Sequence, residues 1–222
     1  PVSLAGLTRL MARLAAAGKA PRLLCANTAM GVEKYYPSDG DAAAVYRWDP
    51  SAAALDGCTV VEVKDVAELL AVAPTPKGGL AVGASVSITA LIDALEGAAG
   101  EEGGDEEGKE GGGRPAPYCV MARHLRRVAN VQVRNAGSWG GNLMLARSRP
   151  AFPSDIAVVL AVAGATLTVL KDPTSLATTT MSVEEFLSSD ASLPLLLVSV
   201  ELPPLPRSSS SGAPPSRVFS TF

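Results

Sequence analysis

Hydrophobic and polar positions along this chain form short segments that alternate between helical and strand spacing. The first segment predicts a helix that Ser3 caps and Gly18 ends, because its apolar residues recur every three or four positions. Its apolar face is formed by Leu4, Leu7, Leu10, Met11 and Leu14. Short apolar strands are predicted over residues 22–26 and 59–63. Parallel pairing between them would complete a small α/β lobe.

The rest of the chain follows a similar alternation. A strand over residues 80–84 leads to a helix that Ser87 caps. The later elements are a helix over 117–130, a helix over 154–162 ended by Gly164, and strands over 166–170 and 195–202. Together these elements predict an α+β fold of two lobes. The small lobe covers about residues 1–72, and the larger lobe, about 80–205, has a mostly antiparallel sheet with flanking helices.

Two segments lack the apolar residues needed to form a core. Residues 97–113 hold six acidic residues, one lysine and many glycines, which predicts a disordered insertion in the larger lobe. Residues 206–222 begin as a Ser/Pro-rich linker and end in what is interpreted as an unfinished strand. We therefore expect this segment to be a linker and the start of a missing C-terminal piece.

Charge and cysteine usage exclude several classes of protein. The net charge of the 222-residue chain is −3, and its one arginine cluster, at 123–127, is interpreted as a solvated helix face rather than a nucleic-acid surface. Three scattered cysteines and one histidine predict no metal site, and they favour a reducing compartment. No secretory leader is recognised, and the longest apolar run, 156–170, is too short for a bilayer. We therefore expect a cytoplasmic protein without a membrane segment.

Residues 135–155 carry the most informative motif of the chain. Gly140 and Gly141 precede Asn142, and a Ser154-Asp155 pair opens an apolar helix. Glycine lets backbone N–H groups approach an anion closely, and an aspartate is an acceptor suited to a sugar hydroxyl. The motif suits a nucleotide with a pyrophosphate, although a simple turn and a helix cap would use the same residue types.

A second candidate segment lies far upstream, at the end of the first predicted strand. It comprises Leu23, Leu24, Cys25, Ala26, Asn27, Thr28, Ala29, Met30 and Gly31. Polar backbone at the carboxyl end of a strand is a common ligand position in α/β units. Cys25 is interpreted as a core residue of this strand rather than a flavin attachment point.

These motifs, taken in order, carry a family resemblance. They are Asn27-Thr28 with Gly31, Gly140-Gly141-Asn142, and the Phe-Pro-Ser-Asp-Ile-Ala of residues 152–157. In this order the chain resembles the FAD-binding (PCMH-type) domain of the molybdenum hydroxylases, the group of xanthine dehydrogenase and aldehyde oxidase. The motif before Phe-Pro-Ser-Asp is most similar to plant-type aldehyde oxidases.

The resemblance implies a set of FAD-binding residues and no catalytic or metal-binding residue in this chain. Asn27 and Thr28 would bind phosphate or ribose, Gly141 and Asn142 would meet the pyrophosphate from the opposite side, Asp155 would bind the adenosine ribose, and Val198 would pack against the flavin. The full set is Leu23, Leu24, Cys25, Ala26, Asn27, Thr28, Ala29, Met30, Ser138, Gly140, Gly141, Asn142, Asp155 and Val198.

Three positions depart from the family pattern. Ala26 stands where a glycine is usual, which is costly only if its φ is positive. Val128 stands where some relatives have an aromatic residue that stacks on the cofactor. Residues 147–150 lengthen the segment before Phe-Pro-Ser-Asp and are interpreted as a loop insertion.

The resemblance implies an oxidoreductase whose flavin is the electron exit. Electrons from hydroxylation of an aldehyde or purine-type substrate at a molybdenum cofactor would pass through 2Fe–2S clusters to FAD, then to oxygen or NAD⁺. Both other cofactors are expected in other domains or subunits, and the full enzyme is expected to be a homodimer by analogy. Two alternatives stay open, a degenerate binding module without flavin and a nicotinamide enzyme. The latter would be expected to carry a G-x-G-x-x-G turn between strand and helix, which the glycine motif does not match.

Overall fold

The computed structural model describes residues 1–29, 58–99, 117–191 and 193–204 of the chain. Within these ranges it contains eight helices and seven strands. The helices are α1 (Leu4–Ala16), α2 (Ala67–Leu70), α3 (Ile88–Ala99), α4 (Pro117–Leu125), α5 (Val131–Ala136), α6 (Trp139–Ser148), α7 (Asp155–Ala163) and α8 (Val183–Ser188). The strands are β1 (Ala20–Leu24), β2 (Cys58–Glu62), β3 (Val72–Pro74), β4 (Leu80–Gly83), β5 (Thr166–Leu170), β6 (Thr178–Ser182) and β7 (Leu196–Leu202). None of these helices combines the length and apolar character needed to cross a bilayer.

The small sheet consists of β1 and β2, which pair in parallel as the sequence predicts. Helix α1 precedes it, and the hydroxyl of Ser3 accepts a hydrogen bond from Gly6 N at 3.1 Å, so the predicted N-cap is confirmed. Gly18 follows the helix with a φ of 65°, a left-handed conformation that glycine adopts at low cost. The first strand begins and ends two residues earlier than predicted, so Cys25 and Ala26 follow it.

The larger sheet has five strands in the order β3-β4-β7-β5-β6, and every neighbouring pair is antiparallel. The predicted α+β class with a mostly antiparallel sheet is therefore confirmed. One face of the sheet packs against helices in a large hydrophobic core. The largest fully buried side chains of that core include Trp139, Phe186, Leu91, Leu95, Leu125 and Leu160.

Strand β7 connects this core to the small sheet. Leu195 and Leu197 belong to the large core, whereas Leu196 and Val198 belong to a second cluster that contains Leu7 and Met11 of α1. A strand presents alternate side chains to opposite faces, so β7 separates the two clusters. The small sheet and α1 thus pack against the opposite face of the larger sheet.

The predicted helix over residues 117–130 is wrong in its last five residues. Helix α4 ends at Leu125, and Ala129 has a φ of 54°, which no right-handed helix accommodates. Asn130 then caps α5, because its side chain accepts a hydrogen bond from Val133 N at 2.9 Å. The apolar spacing continued through the break, so the sequence pattern did not show it.

Several predictions fall partly or wholly outside the described ranges. The predicted disordered insertion at 97–113 is wrong for its first three residues, which complete α3, and its remainder lies outside the described residues. The linker predicted over 206–222 also lies outside the described residues.

Helix α2 and strands β3 and β6 were not predicted. Helix α8 was missed as well, although Ser182 and Glu185 form the capping box that the motif S-x-x-E indicates.

Candidate functional site

A cavity of about 570 Å³ lies between the small sheet and the start of α6. Its size falls within the range of about 300–1,000 Å³ that is typical of small-molecule and cofactor sites. Twelve of the fourteen predicted cofactor residues line it: Leu23, Leu24, Cys25, Ala26, Asn27, Thr28, Ala29, Ser138, Gly140, Gly141, Asn142 and Asp155. Two segments separated by more than a hundred residues therefore meet at one cavity. Met30 lies outside the described residues.

The first wall is the end of β1 and the turn that follows it. Asn27 has a φ of 54°, and Asn is one of the few residues that adopt this left-handed conformation readily. Ala26 is not among the described residues with positive φ. The substitution of the usual glycine by Ala26 therefore carries no backbone strain, and the special conformation falls on the next residue.

Thr28 joins this turn to the opposite wall. A Cβ built on Gly137 would lie 2.8 Å from Thr28 Oγ1 and 2.9 Å from Val133 O. Contacts under 3.0 Å are essentially never seen for real Cβ atoms, so Gly137 is required by the close approach of the two walls.

The predicted glycine loop is the first turn of α6. Ser138 caps this helix, since its hydroxyl accepts a hydrogen bond from Gly141 N at 3.0 Å. A Cβ on Gly140 would lie 2.4 Å from Ala84 O, so this glycine lets the helix pack against the residue after β4. Packing therefore requires a glycine at 140, and the prediction that its backbone also meets a ligand stays a prediction. The first turn of α6 places a helix N-terminus at the cavity, and such a terminus attracts anions.

Asn142 connects the starts of two helices. Its Oδ1 accepts a hydrogen bond from Ser154 Oγ at 2.6 Å. Ser154 in turn caps α7, because its hydroxyl accepts from Ala157 N at 3.0 Å. Asp155, the first residue of α7, is exposed and lines the cavity. The two helices thus contribute one amide and one carboxylate to the same wall.

Val198 does not meet the other predicted residues. Among the described residues it is absent from the cavity lining, and it is buried in the cluster with Leu7 and Met11. The lining includes its predecessors Leu195, Leu196 and Leu197 instead. The family position assigned to a flavin contact therefore points into the core of the molecule, and the start of β7 faces the cavity.

Several lining residues were not among the predicted cofactor residues. They are Arg22, Val63, Leu69, Ala84, Ser85, Ile88, Val128, Ala129, Val133, Gly137, Met144, Leu145, Ser148, Phe152 and Pro153, besides Leu195, Leu196 and Leu197. Phe152 and Pro153 could have been found, because they belong to the Phe-Pro-Ser-Asp motif. The others are brought to the cavity by tertiary packing, for which a single sequence holds no signal.

The turn at Val128 and Ala129 is held by an arginine. Arg134 Nη1 donates to the carbonyl oxygens of both residues at 2.8 Å. Since Ala129 is in a left-handed conformation, these charge-assisted bonds offset part of its strain. They fix the cavity wall at the position where some relatives have an aromatic residue.

Residues 147–150 are not a simple loop insertion, because Arg147 and Ser148 complete α6. Arg147 is 4% exposed and donates to Ser189 Oγ at 2.9 Å, to Leu193 O at 3.2 Å and to Asp190 O. Burial lowers the pKa of this guanidinium, which nevertheless remains charged at neutral pH. Its role is to hold the segment between α8 and β7.

The lining suits an elongated anionic dinucleotide. Arg22 and Asp155 are its charged residues within the described ranges, and a helix start with an amide side chain can hold phosphate oxygens without further charges. Leucines from β1 and from the start of β7, together with Met144, supply apolar surface for a planar ring. The residues present therefore fit a nucleotide cofactor, and they define a two-lobed nucleotide-binding domain.

A family model identifies that cofactor. The model, described as the FAD binding domain in molybdopterin dehydrogenase, matches residues 52–205, which is more than half of the chain. The chain belongs to this family. The predicted resemblance and the cofactor FAD are thereby confirmed.

Curated relatives agree with the family. The chain is 33% identical over 144 residues to probable aldehyde oxidase 1 of Oryza sativa subsp. japonica, a match that covers 64% of this chain and 9% of the relative. It is 31% identical over 145 residues to abscisic-aldehyde oxidase of Arabidopsis thaliana, with 64% and 10% covered. The chain therefore spans about a tenth of the length of these relatives.

Solved structures show the same fold. Quinoline 2-oxidoreductase from Pseudomonas putida 86 superposes with a TM-score of 0.60 at 20% identity, covering 92% of this chain and 57% of that chain. Reconstituted CO dehydrogenase from Oligotropha carboxidovorans gives a TM-score of 0.60 at 16% identity, with 93% and 58% covered.

Proposed function

We propose that this chain is the FAD-binding electron-transfer domain of a molybdenum hydroxylase. The observation that carries the proposal is the convergence of both predicted cofactor segments on one cavity of about 570 Å³. Both segments carry polar side chains and glycines of the types that bind phosphate and ribose, and one dinucleotide in this cavity would contact both. The family membership supports FAD as that ligand.

The residues divide the cofactor between them. The first turn of α6 and Asn142 hold the pyrophosphate, while Asn27 and Thr28 bind phosphate or ribose from the opposite wall. Asp155 accepts from the adenosine ribose. When bound, FAD supplies the redox chemistry, and the protein supplies binding, orientation and exclusion of water.

The chain works with other redox centres. Electrons arrive from iron–sulfur clusters, which in turn receive them from a molybdenum cofactor where an aldehyde or purine-type substrate is hydroxylated. The acceptor is oxygen or NAD⁺. These centres reside in other domains or subunits, and the full enzyme is a homodimer. Likeness to aldehyde oxidases of plants supports this role, and the scattered cysteines support a cytoplasmic location.

The test is retention of flavin by the purified 222-residue chain. The visible absorption spectrum is recorded after incubation with FAD and desalting, and retained flavin bands are the expected result. Asn142→Ala and Asp155→Ala should each raise the FAD dissociation constant by an amount corresponding to roughly 1–3 kcal/mol. Asn135→Ala and Asp93→Ala serve as controls, because neither residue lines the cavity. Unchanged affinity in both cavity variants would refute these assignments.

A degenerate module that keeps the fold without flavin is the alternative. Val128 favours it, since an aliphatic residue lines the cavity where some relatives place an aromatic ring. A folded chain that stays colourless after incubation with excess FAD would support this alternative. Restoration of flavin binding by Val128→Phe would trace the loss to that position.

A further inference from the structure

The hydroxyl of Ser154 makes one more hydrogen bond than a helix cap requires. Its oxygen accepts from Ala157 N at 3.0 Å, which is the cap of α7. The same hydroxyl donates to Asn142 Oδ1 at 2.6 Å, on a different helix. Ser154 is 8% exposed and lies behind the cavity wall, whereas Asn142 is part of that wall. The donated bond therefore acts on a residue that faces the cavity.

That bond decides which end of the Asn142 amide is available to a ligand. An amide side chain has a carbonyl oxygen that accepts and a nitrogen that donates twice. Since Oδ1 is bound to Ser154, Nδ2 is the end left for another partner. Among the described residues, no acceptor contacts Nδ2. A donor at this place attracts phosphate oxygens, whereas a carbonyl oxygen would repel them.

We propose that Ser154 is a positioning residue for the cofactor's phosphates. By donating to Asn142 Oδ1, it turns Asn142 Nδ2 toward the cavity as a hydrogen-bond donor. The inference rests on the proposed FAD site and adds to it a residue that touches no part of the cofactor. It also explains why the two helix starts are joined through side chains rather than through backbone alone.

Ser182 provides a matched control within the same chain. It caps α8 with the same geometry, because its hydroxyl accepts from Glu185 N at 3.0 Å. It does not line the cavity. Replacing either serine by alanine removes one helix cap and lowers the stability of the chain, but only Ser154→Ala also releases Asn142.

The experiment measures FAD affinity by titration, and apo-protein stability by thermal unfolding, for the wild-type chain and four variants. Ser154→Ala and Ser182→Ala should lower the melting temperature similarly, while only Ser154→Ala weakens FAD binding, by about tenfold. Ser154→Thr should restore wild-type affinity, because its hydroxyl can donate and cap. Ser154→Asp keeps the cap but accepts instead of donating, so it should turn Asn142 Oδ1 to the cavity and weaken FAD binding at least as much.

Each outcome decides the proposal. Equal FAD affinity in Ser154→Ala and Ser182→Ala would overturn the positioning role while wild-type binding leaves the FAD site standing. The positioning role is also overturned if folded Ser154→Asp binds FAD normally, which keeps the test valid should Ser154→Ala fail to fold. A wild-type chain that binds no FAD would overturn both the site and the positioning role.

Discussion

Trp139 Nε1 donates a hydrogen bond to the carbonyl oxygen of Gly83 at 2.7 Å. Trp139 is fully buried and begins α6, and Gly83 ends β4. The bond therefore fixes the start of the helix that forms one cavity wall to the strand beneath it. The first turn of α6 is proposed to hold the pyrophosphate, and the indole bond orients that turn together with the bond from Ile88 N to Gly137 O at 2.9 Å.

Trp139→Phe should destabilise the fold and weaken FAD binding together. The variant removes the indole bond to the Gly83 carbonyl, which keeps its bond from Val86 N at 3.1 Å. Loss of one such bond costs about 0.5–1.5 kcal/mol, and phenylalanine also leaves a smaller ring in the core. Chemical denaturation and FAD titration measure the two effects.

Tyr118→Phe is the matched control for that variant. Tyr118 is largely buried, with its hydroxyl donating to Pro203 O at 2.9 Å, and burial raises the pKa of this phenol. It does not line the cavity. Both variants should lose stability, but only Trp139→Phe should lose FAD affinity. Equal FAD affinity in the two proteins would show that the indole serves stability alone.

Gly140→Ala should be strongly destabilising, whereas Gly97→Ala should be stabilising. A Cβ on Gly140 would lie 2.4 Å from Ala84 O and 2.8 Å from Ala84 Cβ, so backbone would have to move. Overpacking of this kind costs about 1–3 kcal/mol. Gly97 lies in α3 with nothing within 4 Å of the added atom, and alanine there gains roughly 0.5–1 kcal/mol in helix propensity. Urea denaturation of both variants would test the contrast, and a loss of stability in both would contradict it.

The sequence could predict the elements with regular periodicity and clear caps. The helix after Ser3 and the two strands of the small sheet followed from apolar spacing. Position within a motif was also informative, since twelve predicted residues meet at the cavity. What local pattern could not supply was the direction of packing. Gly140 packs against Ala84 at the cavity edge, and Val198 packs with α1 instead of lining the cavity.

Ala129→Gly should stabilise the protein. Ala129 has a φ of 54°, where an L side chain costs roughly 1–2 kcal/mol and glycine costs little. The gain should be about 0.5–1 kcal/mol, because glycine also increases the entropy of the unfolded chain.

Ala12→Gly is the reverse control, since Ala12 is exposed in the middle of α1 and should lose about 1 kcal/mol. Thermal unfolding of the two variants should therefore shift the melting temperature in opposite directions. A decrease for Ala129→Gly would mean that the bonds from Arg134 to the carbonyls of Val128 and Ala129 already remove the strain.

Arg147→Lys should lower the free energy of unfolding considerably, although the substitution retains the positive charge. The guanidinium of Arg147 satisfies three acceptors, of Ser189, Asp190 and Leu193, and lies 5.5 Å from the ring centre of Phe186. A lysine ammonium has three donors but no planar fork, so it cannot reach these acceptors with the same geometry. Because the site is buried, we expect a loss of about 2–4 kcal/mol.

Arg13→Lys, on the exposed surface of α1, should change the free energy of unfolding by less than about 0.5 kcal/mol. Urea denaturation of the two arginine variants separates the roles of charge and of geometry. If Arg147→Lys is as stable as Arg13→Lys, a positive charge alone holds the segment between α8 and β7. A large loss confined to Arg147→Lys means that the shape of the guanidinium holds it, and with it the leucines at the start of β7 that line the cavity.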